Sequence, residues 1–231
     1  MVVFVVPVMV GCDDDDDDDA TPTENIVAIA QGQQNLSSLV AALTKFPDLV
    51  ATLSGPGNFT VFAPTNDAFA ALLSTIGQNN IDNVPEPVLR SLLQYHVVSS
   101  GAVFSNQLAA GNVATVNGES IAVTTSGGIR LNGSTSVATA DVRASNGVVH
   151  IIDGVLVPPS ISRFVNTVVE PAYFNKSFTT LIAAVSAASP SILNTLLNSS
   201  KKTLFAPTNE AFTAAGITTL PNQATLDAVL S

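Results

Sequence analysis

Residues 36–46 read LSSLVAALTKF, with apolar side chains at 36, 39, 40, 43 and 46. That spacing predicts an amphipathic helix. Residues 178–185 (FTTLIAAV) carry the same pattern, with Leu181, Ile182, Ala183 and Ala184 answering Leu39, Val40, Ala41 and Ala42. A short second helix is predicted after each. In the first stretch Gly55-Pro56-Gly57-Asn58 then marks a turn, and residues 59–63 (FTVFA) are β-prone. Pro64 stops the strand because it has no N–H for a ladder bond. Thr65 or Asn66 offers a side-chain oxygen to cap the next helix. Asp67 falls in its first turn, where the helix dipole favours a negative charge. Ala68, Phe69, Leu72 and Leu73 make its buried face.

The junction occurs twice. Residues 60–69 read TVFAPTNDAF and residues 203–212 read TLFAPTNEAF, identical at eight of ten positions and 143 residues apart. A strand is therefore predicted at 203–206 as well as at 60–63. The motif describes a strand-to-helix junction, a folding role that demands no catalysis.

Residues 85–98 (PEPVLRSLLQYHVV) predict a helix, with Leu89, Leu92 and Leu93 inward, running into a short strand. Short β-prone segments follow at 113–116, 121–125, 129–131 and 137–142. Asn117-Gly118 and Asn146-Gly147 supply turn signals, and residues 148–157 (VVHIIDGVLV) are predicted as the last strand. Helices early and strands late point to an α+β fold.

The chain has 231 residues, 46% hydrophobic and 11% charged, enough apolar material for a sizeable core. Its formal net charge of -10 is dominated by Asp13 to Asp19. The remainder carries 11 acidic and 8 basic residues. It has no basic stripe, so no nucleic-acid partner is expected. Residues 1–11 (MVVFVVPVMVG) are apolar and uncharged, too short to span a bilayer but suited to the hydrophobic region of a signal peptide. Met9-Val10-Gly11-Cys12 resembles a bacterial lipobox, which implies lipidation of Cys12, with the membrane touched only through that lipid. The Asp run then serves as an acidic tether of the kind found on surface-exposed lipoproteins, or as a solubilising run without an address. Cys12 is the only cysteine, so no intrachain disulfide is possible.

FTVFAPTNDAF, LLQYHVV and NGVVHIIDGVLVP together resemble a fasciclin (FAS1) domain, over residues 24–159. The resemblance implies a β-sandwich of short strands flanked by small helices. It divides the chain into a signal-like segment (1–12), a tether (13–23), a first domain (24–159) and the N-terminal part of a second (160–231). Aligning Leu226 with Leu89 and Leu230 with Leu93 leaves no counterpart to residues 95–159. The second copy is thus expected to be truncated, in a chain taken from a longer protein, and to expose apolar helix faces prone to aggregation.

The family implies an extracellular adhesion or matrix-binding module. Its partners would be a cell-surface or matrix protein or a polysaccharide, and it would be displayed as a lipid-anchored protein at the bacterial outer membrane. In animal members a Tyr-His motif is implicated in partner binding, and Tyr95-His96 is the matching pair. The alternatives are a structural cell-envelope lipoprotein, separable by surface protease accessibility, and a small-ligand binder or enzyme with a polar pocket near His96 or His150. No catalytic residue, cofactor or metal is expected. The two histidines are not spaced as zinc ligands, G-x-S-x-G is missing, and no phosphate-binding fingerprint is present. His96 and His150 are expected to be packed and hydrogen-bonded, and Asp141 and Asp153 to support turns. Five Asn-x-Ser/Thr sequons, at Asn35, Asn58, Asn132, Asn175 and Asn198, would matter only in a eukaryotic secretory setting.

Overall fold

A computed structural model describes residues 22–198 and 202–230. The segments 1–12 and 13–19, with Cys12 and the Asp run, lie outside the described residues. The fold is α+β. Helices α1 (Ile26–Gly32), α2 (Ser37–Leu43) and α3 (Pro47–Ser54) precede strand β1 (Phe59–Pro64). Then come α4 (Asn66–Thr75), α5 (Glu86–Tyr95), β2 (Val97–Val98), β3 (Gly111–Ala114), β4 (Ser120–Thr124), β5 (Arg130–Leu131), β6 (Thr135–Ala144) and β7 (Gly147–Ile152).

The strands form one sheet in the order β2-β1-β7-β6-β5-β4-β3. Only β1 and β7 run parallel, in the register Phe59↔Gly147 to Pro64↔Ile152. Strand β6 belongs to both halves. Its start pairs with β5 and the rest with β7, across register shifts between Val137 and Val142. Such bulges bend a strand, and the bend folds the sheet over itself. Phe62 from β1 and Ile152 from β7 consequently share a core with Ile121, Val123 and Leu131 from β4 and β5. The opposite side of β1 and β7 presents Val61, Ala63, Val149 and Ile151 to the helices, where they meet Leu39, Phe69, Leu89 and Leu93. Side chains alternate across a strand, so β1 feeds two cores at once. Nearly every one of its residues is buried, as is all of β7.

Several boundaries differ from those predicted. The last strand ends at Ile152 and not at residue 157, because the Asp153 side chain accepts from Ser136 N and turns the chain out of the sheet. The β6–β7 turn is Ser145-Asn146, with Gly147 already in the strand opposite Ala144. A Cβ on Gly147 would sit 2.0 Å from the Phe59 carbonyl oxygen, so this glycine is required by the close approach of β1.

Beyond β7 the chain is helical: α6 (Pro159–Ser162), α7 (Glu170–Tyr173), α8 (Thr179–Ala187), α9 (Pro190–Leu197), α10 (Asn209–Ala214) and α11 (Gln223–Leu230). Ile161 and Phe174 reach back into the helical core of the first unit. Phe164, Val169, Leu181, Val185 and Leu196 form a separate small cluster. The strand predicted at 203–206 does not form. In the first unit that run is held by β2 and β7, and residues 160–230 contain no strand of either kind among the described residues.

Candidate functional site

Helix α5 delivers the Tyr-His pair to the seam between the two halves of the sheet. Val88, Leu89, Leu92, Leu93 and Tyr95 are its buried side. Tyr95 is the last helical residue and His96 caps the end. The Tyr95 ring is fully buried in the sandwich core. Its hydroxyl donates to the Ser120 carbonyl at 2.8 Å and accepts from Asn132 Nδ2 at 3.1 Å. Asn132 Oδ1 in turn accepts from Ala122 N. One phenol thus pins the start of β4 to the β5–β6 turn, where Asn132 adopts a φ of 50°. Burial raises the Tyr95 pKa further above its ordinary value, keeping the hydroxyl a donor.

His96 is 3% exposed. Its Nδ1 lies 2.7 Å from the Leu92 carbonyl oxygen and its Nε2 accepts from Leu156 N at 2.9 Å. These partners assign the proton to Nδ1 in a neutral ring. Burial lowers the pKa from 6.5 to about 4, against the smaller opposing pull of the Leu92 carbonyl. The imidazole ties the C-terminus of α5 to the segment leaving β7.

His150 on β7 lies across β1 from His96, stacked on Phe62 with ring centroids 5.6 Å apart. Its Nε2 faces the Val103 carbonyl at 2.9 Å, and its Nδ1 accepts from Asp141 N at 3.3 Å. Asp141, at φ 62° in the β6 bulge, takes both the N–H and the hydroxyl of Ser105. Burial works to raise the Asp141 pKa, but the Ser105 hydrogen bonds outweigh it and hold the carboxyl below its ordinary value. Thr60 Oγ1 adds a further stitch, donating to Gly101 O and accepting from Val103 N. The β2–β3 connection is therefore sewn to β1, β6 and β7 by four side chains. Ser105, Asp141 and His150 do not form a nucleophilic triad, since the serine bonds the carboxylate and not the imidazole.

Tyr95 and His96 thus stand together, as the sequence places them, but inside the domain. Neither ring is presented for direct contact. His150 occupies a separate network. Among the described residues no group of three His, Cys, Asp or Glu side chains is arranged to hold a metal ion. No described helix is long and apolar enough to cross a membrane.

The ties made by three asparagines go beyond the sequence reading, which offers Asn66 only as a candidate cap, a role Thr65 takes. Asn66 Oδ1 accepts from Ser38 N, and its Nδ2 donates to Gln34 O, joining the start of α4 to the start of α2. Asn209 does the same in the second copy, accepting from Thr180 N and donating to Lys176 O. Its recurrence within the repeated decapeptide was the available signal. Buried Asn146 accepts from Ile26 N and donates to Leu53 O and Gly55 O, which links α1, α3 and the sheet. It reads in sequence only as a turn residue.

Residues 34–158 match the family described as Fasciclin domain. Protein sll1483 of Synechocystis sp. is 45% identical over 135 residues, which is 58% of this chain and 73% of that protein. The transforming growth factor-beta-induced protein ig-h3 of Sus scrofa is 36% identical over 141 residues, 60% of this chain and 20% of that protein. A solved FAS1 domain pair from the insect cell adhesion molecule fasciclin I aligns over 79% of this chain and 63% of that chain, at 20% identity and a TM-score of 0.43.

Proposed function

The chain belongs to the fasciclin domain family, and on that premise we propose that it is an extracellular adhesion or matrix-binding module without catalytic activity of its own. Family members of this kind bind cell-surface proteins, matrix or polysaccharide, and those are the partner classes proposed here. The finer proposal is display at the bacterial surface as a lipoprotein, with Cys12 carrying the lipid and the Asp run holding the domain off the membrane.

One observation carries the non-catalytic reading. The Tyr95 hydroxyl and both ring nitrogens of His96 and of His150 are already engaged in holding backbone together. General acid–base chemistry needs a ring nitrogen within reach of a substrate, and these face carbonyls and amides of the fold. The pair therefore acts on binding by position. Tyr95 fixes the β4 and β5–β6 turns, and His96 fixes the segment after β7. The partner meets the surface loops that they hold.

The test is binding of the full chain to intact cells and to extracellular polysaccharide. Saturable binding is expected, and Tyr95→Phe should weaken it while leaving the secondary structure unchanged, because the Asn132 turn loses its anchor. Absence of saturable binding at high micromolar concentration would sink the adhesion reading and favour a structural envelope role.

A further inference from the structure

A pocket of about 230 Å³ lies between α2 and α4, closed at one end by the loop that follows α4. Asn66 sets its width, because that side chain ties the start of α4 to the start of α2. Gly77, at φ 65°, turns the chain out of α4, with Gln78 N donating to Leu73 O. That turn brings Asn79 and Asn80 to the pocket. Its walls are apolar: Ala41 and Ala70 are exposed, and Leu73 is half-buried. Its rim is polar and unengaged. Asn80 Oδ1 accepts from Asp82 N, but Asn80 Nδ2 has no partner among the described residues. The Ser38 hydroxyl and the whole Asn79 side chain are likewise without one there.

No side chain that lines this pocket is ionisable. Two larger clefts differ: one is lined by Glu24 and Arg143, the other by Lys45, Asp82, Glu86 and Lys176. An ionised ligand would find no counter-charge between α2 and α4. Carboxamides and a hydroxyl each donate and accept, which matches the hydroxyls around a sugar ring. The methyl groups of Ala41 and Ala70 match its C–H faces. The volume is below the about 300–1,000 Å³ of a site for a drug-sized molecule, and suits one residue of a longer chain. We propose that this pocket is a subsite for one neutral sugar residue of a polysaccharide. The proposal rests on the adhesion reading and narrows its partner class. It adds a contact on the helical side, since none of the pocket's residues belongs to the loops that Tyr95 and His96 hold. Affinity for a single sugar is low, because each exposed hydrogen bond replaces one to water. A polymer that presents the same residue many times raises it by avidity.

The probes are maltotetraose, laminaritetraose and mannotetraose, all neutral, with tetragalacturonate as the charged control, each added to the full chain. Backbone and side-chain amide signals in NMR spectra are the readout. Saturable shifts are expected at the Asn79 and Asn80 carboxamides and at the Ser38 and Ala70 amides with at least one neutral probe. Half-molar salt should leave them unchanged, because no charge is screened. Ser38→Ala combined with Asn79→Ala should weaken binding about tenfold, through two lost hydrogen bonds. Ala70→Gln should abolish it by filling the pocket. Both variants should keep the other amide signals of the parent, since the altered groups tie nothing in the fold. Three results would overturn the proposal: no shift with any neutral probe at tens of millimolar, a response to tetragalacturonate alone, or equal shifts in the Ala70→Gln chain. The same variants are then compared with the parent for binding to extracellular polysaccharide. Equal binding by all three would reject this subsite and leave the adhesion reading standing, whereas binding by none would sink both.

Discussion

One decapeptide, used twice, ends in two different environments. In residues 60–69 it is a strand feeding two cores and then a helix. In residues 203–212 the helix forms but the strand does not. What is shared is local. Thr65 caps α4 by accepting from Ala68 N, and Thr208 caps α10 by accepting from Ala211 N, both at 3.3 Å. Asn66 and Asn209 tie the new helix to the start of the earlier one. What is lost is everything that another strand must supply. Helix caps and side-chain ties are satisfied within about thirty residues, whereas a strand exists only by its neighbours' hydrogen bonds.

The sharpest way to test that contrast is to remove the same ring from both copies. Phe62 lies between the halves of the folded sheet, so Phe62→Ala should cost about 3–5 kcal/mol of stability. Phe205→Ala should change stability by no more than about 0.5 kcal/mol, because the ring is in solvent. Denaturant unfolding of the two variants beside the parent chain decides it. Comparable losses would mean that Phe205 is covered in solution and that the contrast is wrong.

Acid separates the regions next. Both histidines lie in residues 24–159, and neither has a counterpart in 160–231. His96 is depressed from 6.5 to about 4 by burial. The unfolded chain therefore binds the proton more readily than the native one. The stability from keeping this ring neutral is complete above pH 6.5 and is lost as pH falls from there through 4. A shift from 6.5 to about 4 corresponds to about 3 kcal/mol. His96→Gln should flatten this part of the stability–pH curve, measured by urea titration at pH 4 to 7. An unchanged slope would remove His96 as the cause.

The asparagines test what the two copies share. Asn66→Ala should cost about 1–2 kcal/mol by leaving Ser38 N and the Gln34 carbonyl without their partner. Asn209→Ala removes the equivalent bonds to Thr180 N and Lys176 O, and a cost of about the same size is expected. Hydrogen exchange in α2 and in α8 reports each tie separately. If only Asn66 mattered, the second junction would be a sequence echo without a structural role.

How far each of these features is legible in sequence follows the range of the interactions behind it. Pro64, the Thr65 cap and the apolar spacing of Leu89, Leu92 and Leu93 are short-range signals, and the structure follows them. The helices-then-strands order gives the fold class for the same reason. Residues 203–206 mislead, because β-prone composition states a preference and does not provide partners. The end of β7 at Ile152 is hidden because the apolar run continues through Val155, Leu156 and Val157, while the break comes from an Asp153 contact to another strand. At the candidate site the sequence marks His96 and His150 as packed side chains and Tyr95-His96 as a partner-binding pair. It cannot show that Asn132, Ser120 and Leu156 receive them, since those partners are 25 to 60 residues away.

The smallest expected effect is also the most demanding of the comparison. Thr65→Ala and Thr208→Ala each remove one side-chain acceptor from a helix N-terminus, at a typical cost of about 1 kcal/mol. The acceptor geometry is the same in both copies, and Asp67 and Glu210 hold the same first-turn position next to it. If capping is a purely local interaction, the two losses should agree to within about 0.5 kcal/mol even though β1 precedes one cap and unpaired backbone precedes the other. Local opening free energies of α4 and α10, from amide exchange in each variant, give the two numbers. A loss at Thr208 much smaller than at Thr65 would show that the cap draws on the strand before it. The junction would then be a single cooperative unit that the second copy holds only in part.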